Sequence, residues 1–178
     1  MGEIDKKMGR WIDIPIIPTF EKIVEYTITN TGINSITFTN LDLKTDKVYL
    51  VFFLLKRPGV LTDKVWMFYN NDTTQTNYYS QCIAASGTSV GAERRNEALL
   101  CWYGPWPVLV IIYITLMFNK IQSLIQYTRN VGSDDNAIYM YSHIYVPNAE
   151  NLTSLTFQCP TATYFDVGSR IIIYRSKM

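Results

Sequence analysis

Apolar residues recur at alternate positions in short runs along most of the chain, and the runs are separated by Asn, Gly, Asp and Pro. That period of two is the mark of half-buried strands, and no stretch sustains the longer period of an amphipathic helix. KIVEYTITNTG predicts a first strand marked by Ile23, Tyr26 and Ile28 and ended by Asn30 and Gly32, and INSITFTNLDL a second through Ile36, Phe38 and Leu41. KVYLVFFLLKRPG is a longer apolar strand closed by Pro58 and Gly59, and DKVWMFYNND another, closed by Asn70, Asn71 and Asp72. VLVIIYITLMF, SLIQYTRNVG, AIYMYSHIYV, LTSLTFQCP and SRIIIYRSKM complete a set of about eight or nine strands at hairpin-like spacing, the pattern of an antiparallel sandwich or barrel. Between Cys82 and Glu97 the chain carries Gly87, Gly91 and the charged run AERRNE, which predicts an exposed loop with one helical turn. SITFTNL from Ser35 and SLTFQCP from Ser154 echo each other as two alternating strands.

One segment resists this reading by its length. From Leu99 to Phe118 the chain runs LLCWYGPWPVLVIIYITLMF, long enough on hydropathy alone for a membrane-spanning helix. Gly104, Pro105 and Pro107 interrupt it, and the remaining β-branched run is too short to span a bilayer as a helix. A strand buried on both faces after a proline-bounded turn is the expectation, with no membrane span.

Composition narrows the function classes. Sixteen basic and fifteen acidic residues leave a formal charge of +1, too little to gather nucleic acid or an anionic surface. Aromatic residues make up 14% of the chain and are mostly Tyr, which suits sheet surfaces and contact faces. Cys82, Cys101 and Cys159 are widely spaced with no C-x-x-C pair, so buried thiols are expected in place of a disulfide framework. The start, MGEIDKKMGRW followed by IDIPII, lacks the pattern of a signal peptide. The simplest parse is an extended N-terminal arm over 1–19 and one sandwich domain over 20–178.

Few residues suggest chemistry. Gly87-Thr88-Ser89-Val90-Gly91 satisfies the G-x-S-x-G pattern, with Asp134 or Asp135 and then His143 downstream in hydrolase order. That nucleophile elbow needs a strand before it and a helix after it, and the strand pattern offers no such helix. His143 is the sole histidine, so neither a metal centre nor an acid–base pair can draw on a second imidazole. The Asx-rich turns at Asn70 to Asp72 and at Asp134 to Asn136 reverse the chain without needing an ion. The sequence therefore predicts no enzyme, no cofactor and no metal.

Several segments together resemble a family of virion structural or tail-associated proteins of tailed phages and related viruses. They are FEKIVEYTITNTGINSITFTNLDLKTDKVYLVF, the loop FYNNDTTQTNYYS, LTSLTFQC, and the closing TYFDVGSRIIIYR. The chain departs from that family where Tyr174-Arg175-Ser176 stands in place of a Tyr-Gly-Ile ending, and LLCWYGPWP has no counterpart there. The resemblance implies a jelly-roll-like antiparallel β-sandwich and a place on a virus particle as a capsid decoration, vertex or tail-associated component. The expected partners are copies of the chain and other virion proteins. Two surfaces are candidates for contact. In the arm, Trp11, Ile14, Ile16 and Ile17 can lie along a neighbouring subunit as an extended strand. In the loop, Asn70, Asn71, Asp72, Asn77, Tyr78 and Tyr79 combine amides, a carboxylate and aromatic rings, which would suit a carbohydrate on a host surface, the alternative function.

Overall fold

A computed structural model describes residues 19–56, 63–86, 88–103, 107–130, 136–160 and 164–177. Among them the chain forms twelve strands: β1 (Thr19–Thr27), β2 (Ser35–Thr39), β3 (Val48–Leu55), β4 (Asp63–Tyr69), β5 (Tyr78–Ser86), β6 (Ser89–Arg95), β7 (Leu99–Tyr103), β8 (Val108–Met117), β9 (Lys120–Asn130), β10 (Asn136–Tyr145), β11 (Ser154–Gln158) and β12 (Arg170–Lys177). Among the described residues helix is confined to one turn, α1 (Leu43–Asp46), and a 3-10 turn at Gln75–Asn77. The arm residues Trp11, Ile14, Ile16 and Ile17 lie outside the described residues.

Two antiparallel sheets make the sandwich, an eight-stranded one ordered β1-β12-β3-β8-β9-β10-β5-β6 and a four-stranded one ordered β2-β11-β4-β7. With β5, β6, β9 and β10 set aside, the remaining strands pair first with last: β1 with β12, β2 with β11, β3 with β8, and β4 with β7. These pairs alternate between the two sheets, which is the jelly roll. The fold class expected from the sequence is therefore present. The other four strands are two insertions, one between β4 and β7 and one between β8 and β11, and both extend the same sheet beyond β8.

Strand alternation explains the packing. In β3, Tyr49, Val51, Phe53 and Leu55 are buried while their neighbours are less so, and β8 buries Val108, Val110, Ile112 and Ile114. The core lies between the sheets: Phe53 meets Phe157 of β11 edge-on at 5.1 Å between ring centroids, and Phe165 at 5.5 Å. The two echoing segments are neighbours, since β2 and β11 pair with Thr37 opposite Thr156 and their hydroxyls 2.9 Å apart.

Three expectations are corrected. The stretch from Cys82 to Glu97 is no helical loop: β5 and β6 pair antiparallel from Ser80 opposite Arg95 to Ser86 opposite Ser89. LLCWY forms β7, a further strand of the smaller sheet. The apolar strand β8 is buried on one face only, because Leu109 and Tyr113 point outward into an exposed surface.

Candidate functional site: the outer face of the large sheet

The register of the eight-stranded sheet places the outward side chains in rows, because residues directly opposite share a face. One row runs Arg170, Leu54, Leu109, Thr128, Ile138, Ala85, each the register partner of the next. The next holds Ile172, Phe52, Ile111, Gln126, Met140 and Ile83. A third holds Tyr174, Leu50, Tyr113, Leu124, Ser142 and Gln81. None of these positions on β3, β8, β9, β10 or β5 is charged. Charge collects at the two flanks: Lys22, Glu25 and Arg170 on β1 and β12, and Arg94 on β6. Glu25 accepts from Lys22 and from Arg170, and those contacts hold its carboxyl below the usual carboxylate range.

This apolar field is uncovered by any other described element of the chain. Leu54 is 41% exposed, Ile138 48% and Val90, on the edge strand β6, 77%. A groove of about 390 Å³ opens toward the β12 side, lined by Phe52, Leu54, Leu109, Arg170, Ile172 and Tyr174. Large exposed apolar patches such as these, on β3 and β8 and again on β10 and β5 with Gln126 and Thr128 of β9 between them, commonly mark a contact surface. The signal was in the sequence, since β3 and β8 carry large apolar residues at both parities. The same signal describes a strand buried on both sides, and the two cases are indistinguishable until the sheet order is known.

The loop after β4 is a different kind of place. Asn70 and Asn71 both have positive φ, 53° and 59°, and Asp72 N–H donates to the Tyr69 carbonyl at 3.0 Å, forming a tight reversal for which Asn is suited. Asn70 Oδ1 accepts from Thr153 N–H at 2.8 Å and its Nδ2 donates to Asn151 O at 2.9 Å, tying the loop to the start of β11. Asp72 accepts from Thr74 N–H at 2.9 Å, Asn77 Nδ2 at 2.7 Å and Tyr145 Oη at 2.9 Å. Burial pushes the Asp72 carboxyl up, but these donors outweigh it and hold it below its ordinary value. Tyr78 is wholly buried, with its hydroxyl donated to the Asp72 carbonyl at 2.6 Å. Of the six loop residues singled out in the sequence, Asn71 and Tyr79 are the exposed ones, and Arg94 lies over the Tyr79 ring at 5.4 Å.

His143 sits on the inner face of β10, fully buried, stacked on the Tyr78 ring at 5.3 Å. Tyr69 Oη donates to Ser123 Oγ at 3.0 Å and lies 3.2 Å from His143 Nδ1, so Nδ1 carries the proton and donates to Tyr69. Nε2 has no hydrogen-bond partner among the described residues, nor does Ser80 Oγ directly across the β10–β5 pair. Burial pulls the imidazole pKa down to about 3. Ser89 opens β6 in an antiparallel hairpin, where no helix follows it. Its partner Ser86 pairs with Ala137, six residues along β10 from His143, or about 20 Å. Asp134 and Asp135 lie outside the described residues. Cys82, Cys101 and Cys159 are all buried.

No helix among the described residues is long and apolar enough to cross a membrane, and none of their His, Cys, Asp and Glu side chains cluster as a metal site. No protein-family model matches the chain, and no curated protein is significantly similar to it.

Proposed function

We propose that the chain is a structural subunit of a virus particle, a capsid-decoration, vertex or tail-associated component that works by self-assembly and surface display. The observation that carries the reading is a jelly roll whose two insertions widen one sheet into a large uncharged outward face. A subunit needs such a surface to bury against its neighbours, and a protein acting alone in water is better served by a polar one. Mass spectrometry and immunogold labelling of purified particles test the proposal. The chain is expected in particles at a fixed ratio to the other structural proteins, and its absence from them would sink the idea.

The carbohydrate reading of the loop draws less support from the geometry. Asn70, Asp72 and Asn77 spend hydrogen-bonding groups within the fold, on the start of β11, on Tyr145 and on one another, and the Tyr78 ring is inaccessible to a sugar face.

A further inference from the structure

The outward face has the anatomy of a protein–protein contact: an uncharged middle, apolar apart from Thr128, Gln126, Ser142 and Gln81, and a charged rim of mixed sign. Its extent also suits one. Eight strands about 4.8 Å apart and some four outward residues along each give a footprint of roughly 800 Å², the share one partner contributes to a stable interface. The face is also asymmetric from flank to flank. The groove lies toward β12, β3 and β8, while Ile138, Met140 and Ile83 stand on β10 and β5, on the other side of the sheet's midline between β8 and β9.

From these features we infer that two copies of the chain pack face to face through their eight-stranded sheets. The two-fold axis runs parallel to the strands at that midline. Such a rotation reverses the strand order and keeps the rows, so β10 lies over β3 of the other copy and β5 over its β12. Ile138 then meets Leu54, Met140 meets Phe52 and Ile83 meets Ile172, each contact occurring twice, with the ridge of one copy seated in the groove of the other. In the same register Arg94 falls over Lys22 of the other copy, with Glu25 one row away, so the rim adds no charge pairing and the contact rests on the apolar rows and their extent. The alternative axis, perpendicular to the strands, sets groove over groove and ridge over ridge and fills neither. The inference deepens the reading of the chain as an assembling subunit by naming the surface and the partner.

Sedimentation velocity on the full chain tests it. The wild type is expected as a dimer. Ile138→Glu and Leu54→Lys place a charge against an apolar partner surface, and each is expected to raise the dimer dissociation constant at least ~100-fold while leaving circular dichroism unchanged. Mixing the two variants restores the dimer as a heterodimer, because the carboxylate introduced in one copy then meets the ammonium introduced in the other while the second contact remains native. A wild type that stays monomeric at high concentration overturns the inference. So do folded single variants that still dimerise, or dissociated variants that fail to recombine. Trp11→Asp is expected to leave the dimer intact, and its loss in that variant alone would assign the contact to the N-terminal segment instead. A dimer in a chain absent from particles removes the virion reading and leaves the interface; a monomer found in particles does the reverse.

Discussion

His143 gives the cleanest handle on the energetics of single residues. It is the sole histidine, so between about pH 5 and 6.5 no other side chain near its ordinary value titrates. Its native pKa, about 3, lies below the unfolded value, so the unfolded chain takes the proton first as the pH falls. Stability therefore declines with acidification from about pH 6.5, by about 1.4 kcal/mol per pH unit once the unfolded imidazole is fully protonated. Urea midpoints measured at pH 7.5 and 5.0 should show the decline, and His143→Gln should flatten it. Below that window Asp72 adds to the loss: its depressed carboxyl contributes stability that is present above the unfolded value near 4 and disappears as the pH falls through the native one. Gly168 tests backbone instead of charge. With φ at +86° and a Cβ that would come 2.6 Å from Lys56 Nζ, Gly168→Ala is expected to cost about 1–2 kcal/mol, read as a lower thermal midpoint.

Among the elements, the β8–β9 hairpin carries a local conflict. Its two-residue turn has positive φ at both positions, 51° at Phe118 and 57° at Asn119. Asn suits that conformation and Phe does not, yet the Phe118 side chain is 91% exposed and gains no packing in return. Phe118→Asn is therefore expected to raise stability by about 1 kcal/mol, a rise in Tm of about 2–4 °C by calorimetry. The elements legible in the sequence were those with a clear alternation of apolar and polar residues and those, like β3 and β8, that form a long apolar run rich in β-branched and aromatic residues. Those missed had physical reasons to be quiet. Beyond Tyr78, β5 turns Ser80, Cys82 and Ala84 inward, so the rest of its inner face is made of small residues that do not register as an apolar stripe. β6 is an edge strand exposed over most of its length, and it needs no apolar face at all. β7 buries consecutive residues from Leu99 to Cys101, which erases the alternation. The candidate face was hidden for the complementary reason, since outward Leu54, Leu109 and Tyr113 fill the parity that marks a solvent side in an ordinary strand.

At the scale of the whole molecule, adjacent residues of β3 answer to different partners. Phe53 packs between the sheets, and Phe53→Ala is expected to cost about 3–5 kcal/mol of folding stability. Leu54 faces out, so Leu54→Ala should change the stability of the isolated chain by less than about 1 kcal/mol and weaken association instead. Denaturant titration and sedimentation on the same two variants separate the effects. The sandwich itself could be inferred from strand count and turn spacing, but which strands neighbour which depends on contacts between distant segments that no local pattern encodes.

The pairing of first strand with last also governs how the chain comes together in time. β12, far along the chain from both its neighbours, occupies the slot between β1 and β3, so the large sheet stays split until β12 has been made. Until then β1 and β3 each present an unpaired edge, and the nascent chain is a candidate for capture by a chaperone or by a second nascent chain. Closure over so long a separation belongs with the slower folding regime of milliseconds to seconds. A jelly roll of this kind therefore completes its large sheet, and with it the outward face, only once β12 has joined β1 and β3.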